Sequence, residues 1–77
     1  MQAIINRLVA DVLDVDEDEI TSELSPDNTE YWDSMNHLRL VTALEEEFDI
    51  KLSMDEVQSI EKVGDIYTII GKHKGQS

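Results

Sequence analysis

Residues 34–48 have the sequence SMNHLRLVTALEEEF, in which apolar side chains recur at the three- and four-residue spacing of an amphipathic helix. One face of this predicted helix carries the residues that we expect to point into a core: His37, Leu40 or Val41, Leu44 and Phe48. A second stripe has no continuous apolar character and comprises Met35, Arg39, Thr42 and Glu46. We therefore expect one side of the helix to pack in a bundle and another to face solvent or a partner.

Three further helices are predicted around this one, over residues 2–14, 54–60 and 63–73, with a tail over 74–77. The short third helix has a capping-box signature, Ser53 with Glu56, and its apolar positions are Met54, Val57 and Ile60. The one candidate strand, residues 49–52, is too short to build a sheet. The sequence therefore predicts an all-α fold: a small four-helix bundle of three longer helices and one short helix, in a single domain over residues 1–77.

The segment between the first two helices, residues 15–33, has no helical period and contains the single proline, Pro26. It is acidic and unusually long for a connection in a compact domain, and such connections tend to be functional or disordered. Ile20 and Leu24 are the residues that we expect to hold it against the core.

The composition argues against several classes of function. Six basic and eighteen acidic residues give a net charge of −12, which disfavours nucleic acid and anionic membranes and favours partners with basic patches. At 77 residues, nearly every apolar side chain is needed for the core, which disfavours a large enzyme cleft. There is no cysteine, and no apolar stretch approaches the ~18 residues of a membrane span. We expect a cytoplasmic monomer with no membrane insertion, no metal site and no catalytic residues.

The segment Tyr31-Trp32-Asp33-Ser34-Met35 ends the long connection and opens the second helix. Ser34 fits the N-cap of that helix. It also fits a site of modification, because a phosphodiester is favoured beside the unpaired N–H groups and positive dipole at a helix start. The two interpretations are compatible. Trp32 is expected to wedge the loop against the bundle or to shape the exit of a group attached to Ser34.

Further motifs stand at fixed distances from this serine: Asp33-Ser34-Met35, VTALEEEF over residues 41–48, Ile50, Asp55-Glu56 and Val63-Gly64-Asp65-Ile66. On these residues the chain resembles the acyl carrier protein family over about residues 4–70, with Asp-Ser-Met in place of the family's Asp-Ser-Leu. The resemblance implies that Ser34 carries a 4′-phosphopantetheine arm, transferred from coenzyme A by a separate Mg²⁺-dependent phosphopantetheinyl transferase. The arm's thiol would hold an acyl group as a thioester for acyl-loading and acyl-processing enzymes of fatty-acid, polyketide or related specialised biosynthesis. A short chain could be sheltered among the helices, and the carrier itself would catalyse nothing.

The resemblance also implies roles for neighbouring residues. Asp33 would orient the loop or help the transferase to place its metal, and it is also a second N-cap candidate. Contacts with partner enzymes are expected from Met35, Arg39, Thr42, Glu45 and Glu46, against the alternative that this is only a solvated acidic face. Arg39 departs from the acidic character usual early in this helix. It should repel some partners of a fully acidic carrier, which indicates a specialised carrier with its own partner set.

Other interpretations are weaker or remain open. Asp14, Asp16 and Asp18 suggest an EF-hand loop, but its sixth and twelfth positions are Glu19 and Ser25 rather than glycine and glutamate. His37 is expected to be a half-buried packing residue rather than a base. The pattern typical of peptidyl carriers, Gly-Gly-His/Asp-Ser, is absent, although a stand-alone aminoacyl or peptidyl carrier stays possible in principle. An acidic interaction module whose serine is never modified is the alternative from a different class.

Overall fold

The computed structural model describes residues 2–75 and contains four α-helices: α1 (Gln2–Leu13), α2 (Ser34–Phe48), α3 (Met54–Ser59) and α4 (Val63–His73). A short 3₁₀ turn, Glu17–Glu19, lies in the connection after α1. The described part of the chain has no strand, so the predicted all-α bundle with a short third helix is confirmed. The bounds of α2 and α4 are as predicted, while α1 and α3 each end one residue earlier. Of the predicted tail, residues 76–77 lie outside the described residues.

The core forms where the apolar faces of α1, α2 and α4 meet, with α1 packed against both other helices. The predicted inward face of α2 is confirmed by the burial of Leu40, Val41, Leu44 and Phe48. The matching faces bury Ile5, Val9, Ala10 and Leu13 from α1 and Val63, Ile66, Ile69 and Ile70 from α4. Within residues 2–75, no helix combines the length and the apolar character needed to cross a membrane.

The short helix α3 lies at the edge of this core. Its predicted capping box is confirmed: the Ser53 hydroxyl accepts the Glu56 N–H at 3.1 Å, and Glu56 Oε1 accepts the Ser53 N–H at 2.9 Å. Of the three apolar positions identified for this helix, Ile60 is buried and Val57 is half-buried, whereas Met54 is 70% exposed. A six-residue helix turns fewer than two times, and here the core is met by the flanking Leu52 and Ile60 rather than by the first helical residue.

The connection between α1 and α2 is fixed at several points. Ile20 is buried and Leu24 is half-buried against the core, which confirms both predicted anchors. The Leu24 carbonyl accepts the Val63 N–H at 3.0 Å, and the Ser22 carbonyl accepts the Gly64 N–H at 2.9 Å. A Cβ at Gly64 would lie 3.2 Å from that same Ser22 oxygen, so any larger residue there would push the two backbones apart by a few tenths of an ångström. These hydrogen bonds attach the connection to the start of α4, and the C-terminal end of the connection places Trp32 next to the start of α2.

Candidate functional site

The start of α2 is capped by Asp33. Its backbone is extended (φ −102°, ψ −176°), and Oδ1 accepts the Asn36 N–H at 2.9 Å. The Asp33 carbonyl accepts the His37 N–H at 2.9 Å, which is the first backbone bond of the helix. The expectation that Ser34 caps the helix is therefore wrong: the aspartate one residue earlier takes that position, and Ser34 is the first helical residue.

This arrangement leaves the Ser34 hydroxyl exposed and free of any hydrogen bond within residues 2–75. The backbone N–H groups of Ser34 and Met35 also find no acceptor in that part of the chain, as expected for the first turn of a helix. No acidic side chain lies within the first turn itself. An exposed hydroxyl beside free N–H groups at the positive end of a 15-residue helix is suited to bearing a phosphodiester.

Trp32 and His37 link three elements next to this serine. The Trp32 side chain is only 3% exposed, and its ring is stacked on that of His37 with centroids 6.1 Å apart. Trp32 Nε1–H donates to His37 Nδ1 at 3.1 Å, and His37 Nε2 lies 3.0 Å from the Val57 carbonyl oxygen. Because a carbonyl only accepts, Nε2 carries the proton, which leaves Nδ1 of the neutral ring free to accept from Trp32. We call this chain the Trp32–His37–Val57 bridge; it joins the loop, α2 and α3, and it confirms the wedge predicted for Trp32 and the packing role predicted for His37.

A groove of about 600 Å³ opens directly beside Ser34. Its lining comprises Pro26, Trp32, Asp33, Ser34, His37, Leu38 and Ile60. Trp32 and Ile60 are buried and form its floor, whereas Leu38 is 62% exposed at its rim. Grooves of this size accept small organic ligands. Sequence reasoning missed Leu38, although one signal was available: it is a large apolar residue outside the inward-facing period of α2.

The exposed face of α2 carries most of the residues predicted to contact partners. Met35 is 62% exposed, and Arg39, Thr42 and Glu46 are exposed on the same helix. The structure adds a role for Glu45 that the pattern did not indicate. One of its carboxylate oxygens, Oε2, accepts the Leu52 N–H at 2.8 Å, so Glu45 also fixes the connection between α2 and α3.

Glu56 joins α3 to the end of α4, since its Oε2 lies 2.9 Å from His73 Nε2. The N–H of Ser53 is the main cause that lowers the pKa of the Glu56 carboxyl below its ordinary value of 4.5, and the hydrogen bond with His73 adds to it. Among residues 2–75, no three His, Asp or Glu side chains are grouped to hold a metal ion.

Comparison with known proteins gives two kinds of match. The family described as phosphopantetheine attachment site matches residues 3–70, which include all of α2. Among solved structures, the chain is similar to one assigned as an acyl carrier protein of Mycobacterium tuberculosis, with a TM-score of 0.85 and 33% identity over 94% of this chain and 96% of that one. It is also similar to a holo acyl carrier protein of Geobacter metallireducens, with a TM-score of 0.82 and 30% identity over 92% of this chain and 82% of that one.

Proposed function

The chain belongs to the acyl carrier protein family, and on that premise we propose that it carries acyl intermediates as thioesters on a 4′-phosphopantetheine arm attached to Ser34. Proteins of this family are carriers that catalyse no reaction themselves, and 4′-phosphopantetheine is their covalent cofactor. The observation that carries the assignment to Ser34 is its exposed, unengaged hydroxyl at the first residue of α2.

The residues around Ser34 fit this cofactor. The phosphodiester would lie at the positive end of α2, near the free N–H groups of Ser34 and Met35, and the rest of the arm has the adjacent groove to occupy. When bound, the arm supplies a thiol, which this chain has no cysteine to provide.

Attachment is a phosphoryl-type transfer from coenzyme A, catalysed by a separate transferase. The Ser34 oxygen forms a bond to the phosphorus of the phosphopantetheine half, and the pyrophosphate bond of coenzyme A breaks. Adenosine 3′,5′-bisphosphate leaves, and the hydroxyl proton passes to a base of the transferase or to solvent. Asp33 supports this step by holding the helix start in place through its cap, so that Ser34 is presented outward.

Acyl carriers interact with modifying and biosynthetic enzymes, and the exposed face of α2 is the surface that we assign to these contacts. Met35 offers apolar area beside the attachment point, Thr42 and Glu46 continue the face, and Glu45 lies at its edge. The net charge of −12 favours enzymes with basic patches, through faster encounter more than through tighter binding.

Arg39 places a positive charge in the middle of this face, and we infer that it selects against enzymes built for a fully acidic carrier. The chain is therefore assigned to a specialised acyl pathway of the fatty-acid or polyketide type with its own loading enzyme. Arg39→Glu should raise the rate at which generic fatty-acid enzymes load the carrier, whereas an unchanged rate would show that Arg39 does not discriminate. Aminoacyl loading is the competing assignment, and the same assay with an adenylating enzyme for amino acids distinguishes the two.

We also propose that this carrier is a monomer. Within residues 2–75, the large apolar side chains that remain exposed are few: Tyr31, Met35, Leu38 and Met54. Two of them, Met35 and Leu38, lie beside Ser34, where contacts with enzymes are expected. Sedimentation equilibrium at micromolar concentration checks this state.

The primary test is intact mass after incubation with coenzyme A and a broad-specificity phosphopantetheinyl transferase. The parent should gain one phosphopantetheine and Ser34→Ala none. Ser22→Ala is the matched control, because Ser22 is also an exposed serine but lies in the connection away from the start of α2. Addition to Ser34→Ala would refute the assignment. No addition to a parent shown folded by circular dichroism, also with a transferase from the source organism, would favour the acidic interaction module.

A further inference from the structure

Asn36 is hydrogen-bonded to the loop before Ser34 at two points. Its side-chain Nδ2 donates to the Tyr31 carbonyl oxygen at 2.7 Å, and its backbone N–H donates to Asp33 Oδ1 at 2.9 Å. On the attachment to Ser34 proposed above, we propose that Asn36 is a positioning residue for that reaction. Its side chain holds residues 31–33 in the conformation from which a transferase receives the serine.

The contact with Tyr31 requires an amide at position 36. A carbonyl oxygen only accepts hydrogen bonds, so the donor must be the nitrogen of the Asn36 side chain. Asn36 Oδ1 lies 3.5 Å from Arg39 Nη1, and because a guanidinium only donates, this neighbour favours the same orientation of the amide. An aspartate has nearly the same size, but it would place a carboxylate oxygen against the Tyr31 carbonyl, and two acceptors repel each other.

Tyr31 is held by its backbone on both sides. Its N–H donates to Thr29 Oγ1 at 3.3 Å, and its carbonyl accepts from Asn36. Tyr31 is 55% exposed, whereas Trp32, the next residue, is 3% exposed. Burial therefore contributes little to fixing Tyr31, and the two hydrogen bonds contribute correspondingly more. Loss of one such bond shifts a local equilibrium by about two- to tenfold.

A displacement of Tyr31 reaches Ser34 along the chain, because only two residues separate them. The transferase has to align the serine oxygen with a phosphorus of coenzyme A, and a misplacement of about 1 Å can cost up to about a hundredfold in rate. This loss arises after the carrier has docked, so it lowers kcat. Partial unfolding of the carrier, or loss of a direct contact with the transferase, would instead raise the KM for the carrier.

The test measures kcat and KM of the apo carrier with coenzyme A and a broad-specificity phosphopantetheinyl transferase. Asn36→Ala removes only the side-chain bond, since the backbone N–H still donates to Asp33. We expect kcat to fall by about two- to tenfold, with the KM for the carrier changed by less than about twofold. An unchanged kcat with a raised KM would overturn the proposal.

Asn28→Ala is the matched control. Asn28 Nδ2 also donates to a carbonyl five residues earlier, that of Glu23 at 3.0 Å, and its Oδ1 accepts the Ser25 N–H at 3.0 Å. This variant therefore loses at least as many bonds as Asn36→Ala, but they join residues of the connection to each other and not to α2. Its kcat should stay at the value of the parent. An equal fall of kcat in both variants would show a general structural loss and would overturn the proposal.

Asn36→Asp separates positioning from charge and from helix stability. An added acidic charge on α2 should speed encounter with a basic transferase. It is also favourable in the first turn of the helix, so the Tm should not fall below that of Asn36→Ala. The donor to the Tyr31 carbonyl is nevertheless lost, and kcat should fall by at least as much as in Asn36→Ala. A kcat equal to or above that of the parent would overturn the proposal.

Thr29→Val removes the other backbone contact of Tyr31 and leaves Asn36 in place. It should also lower kcat. The double variant Thr29→Val/Asn36→Ala should not show the product of the two single effects, because both bonds hold the same residue. The plain product would mean that Asn36 acts independently of Tyr31, which would overturn the positioning role.

Circular dichroism verifies that each variant is folded, and if Asn36→Ala is not, Asn36→Asp and Thr29→Val decide. A parent that gains the mass of phosphopantetheine while all variants keep its kcat would overturn the role of Asn36 and leave the carrier function intact. A folded parent that gains no mass would refute the carrier function, and the role of Asn36 with it.

Discussion

His37→Leu tests the bridge as a source of stability. Leucine keeps an apolar side chain of comparable size in α2, so the packing against Trp32 is largely conserved. Both hydrogen bonds are lost, because leucine can neither accept the Trp32 indole N–H nor donate to the Val57 carbonyl. The substitution therefore isolates the polar part of the bridge.

The magnitude follows from the burial of the two groups that lose a partner. An unsatisfied buried donor costs about 1–3 kcal/mol, and the indole N–H of Trp32 is such a donor. The Val57 carbonyl belongs to a half-buried residue and can be partly hydrated, so it adds about 1 kcal/mol. The expected loss of about 2–4 kcal/mol is large beside the total free energy of unfolding of a domain this small, roughly 4–12 kcal/mol.

The assay is urea unfolding at pH 7, followed by circular dichroism and by the fluorescence of Trp32. With an m-value of about 1 kcal/mol per molar, the midpoint should fall by about 2 M or more, with m unchanged. His37→Gln is the control, because its amide both accepts and donates, and its midpoint should stay near that of the parent. If both variants lose the same amount, the loss belongs to the packing of the imidazole ring and the role given to the hydrogen bonds is refuted.

Three further predictions concern the N-cap of α2, the Glu56 carboxylate and two glycines of α4. Asp33→Ala should lower the free energy of unfolding by about 1 kcal/mol because α2 loses its N-cap, whereas Asp33→Asn retains the cap. In thermal unfolding, the Tm should fall by about 4–8 °C for the alanine variant alone, and equal Tm values for the two variants would contradict the prediction. Glu56 has a pKa that the N–H of Ser53 lowers in the folded state, so its contribution to stability is full above the unfolded value and is lost as pH falls through the folded one. Below about pH 4.5, the urea midpoint of the parent should therefore drop relative to that of Glu56→Gln. A difference between the two midpoints that does not change with pH would contradict the prediction. Gly71→Ala should raise the free energy of unfolding by about 0.5–1 kcal/mol because nothing lies within 4 Å of the added Cβ. Gly64→Ala should lower it by about 1–3 kcal/mol because its Cβ would meet a backbone oxygen at 3.2 Å. Shifts of Tm with the same sign for both variants, measured by calorimetry, would contradict this pair of predictions.

The helices could be predicted from the sequence because their signals are local. The period of apolar residues in α2 and α4 gave both helices with their observed bounds, and the Ser53–Glu56 capping box gave the start of α3. These features depend on residues three or four positions apart, which interact within one helix whatever the rest of the chain does.

The details of the site could not be predicted in the same way, because they depend on contacts between distant segments. The bridge pairs His37 with a carbonyl 20 residues away, and the groove is lined by Trp32 and Ile60 from separate parts of the chain. The cap of α2 was misassigned for a different reason. Asp33 and Ser34 are both good N-cap residues, and only the extended backbone of Asp33 decides between them.

Leu38 connects the groove to the surface assigned to partners. Its side chain forms the rim of the groove and is 62% exposed, and Met35, also 62% exposed, lies one turn before it on α2. On the proposed function, an enzyme docked on this face would also cover the open side of the groove, so both apolar side chains would be removed from water in one step. The open groove and the two exposed apolar residues are thus explained together on the proposed function.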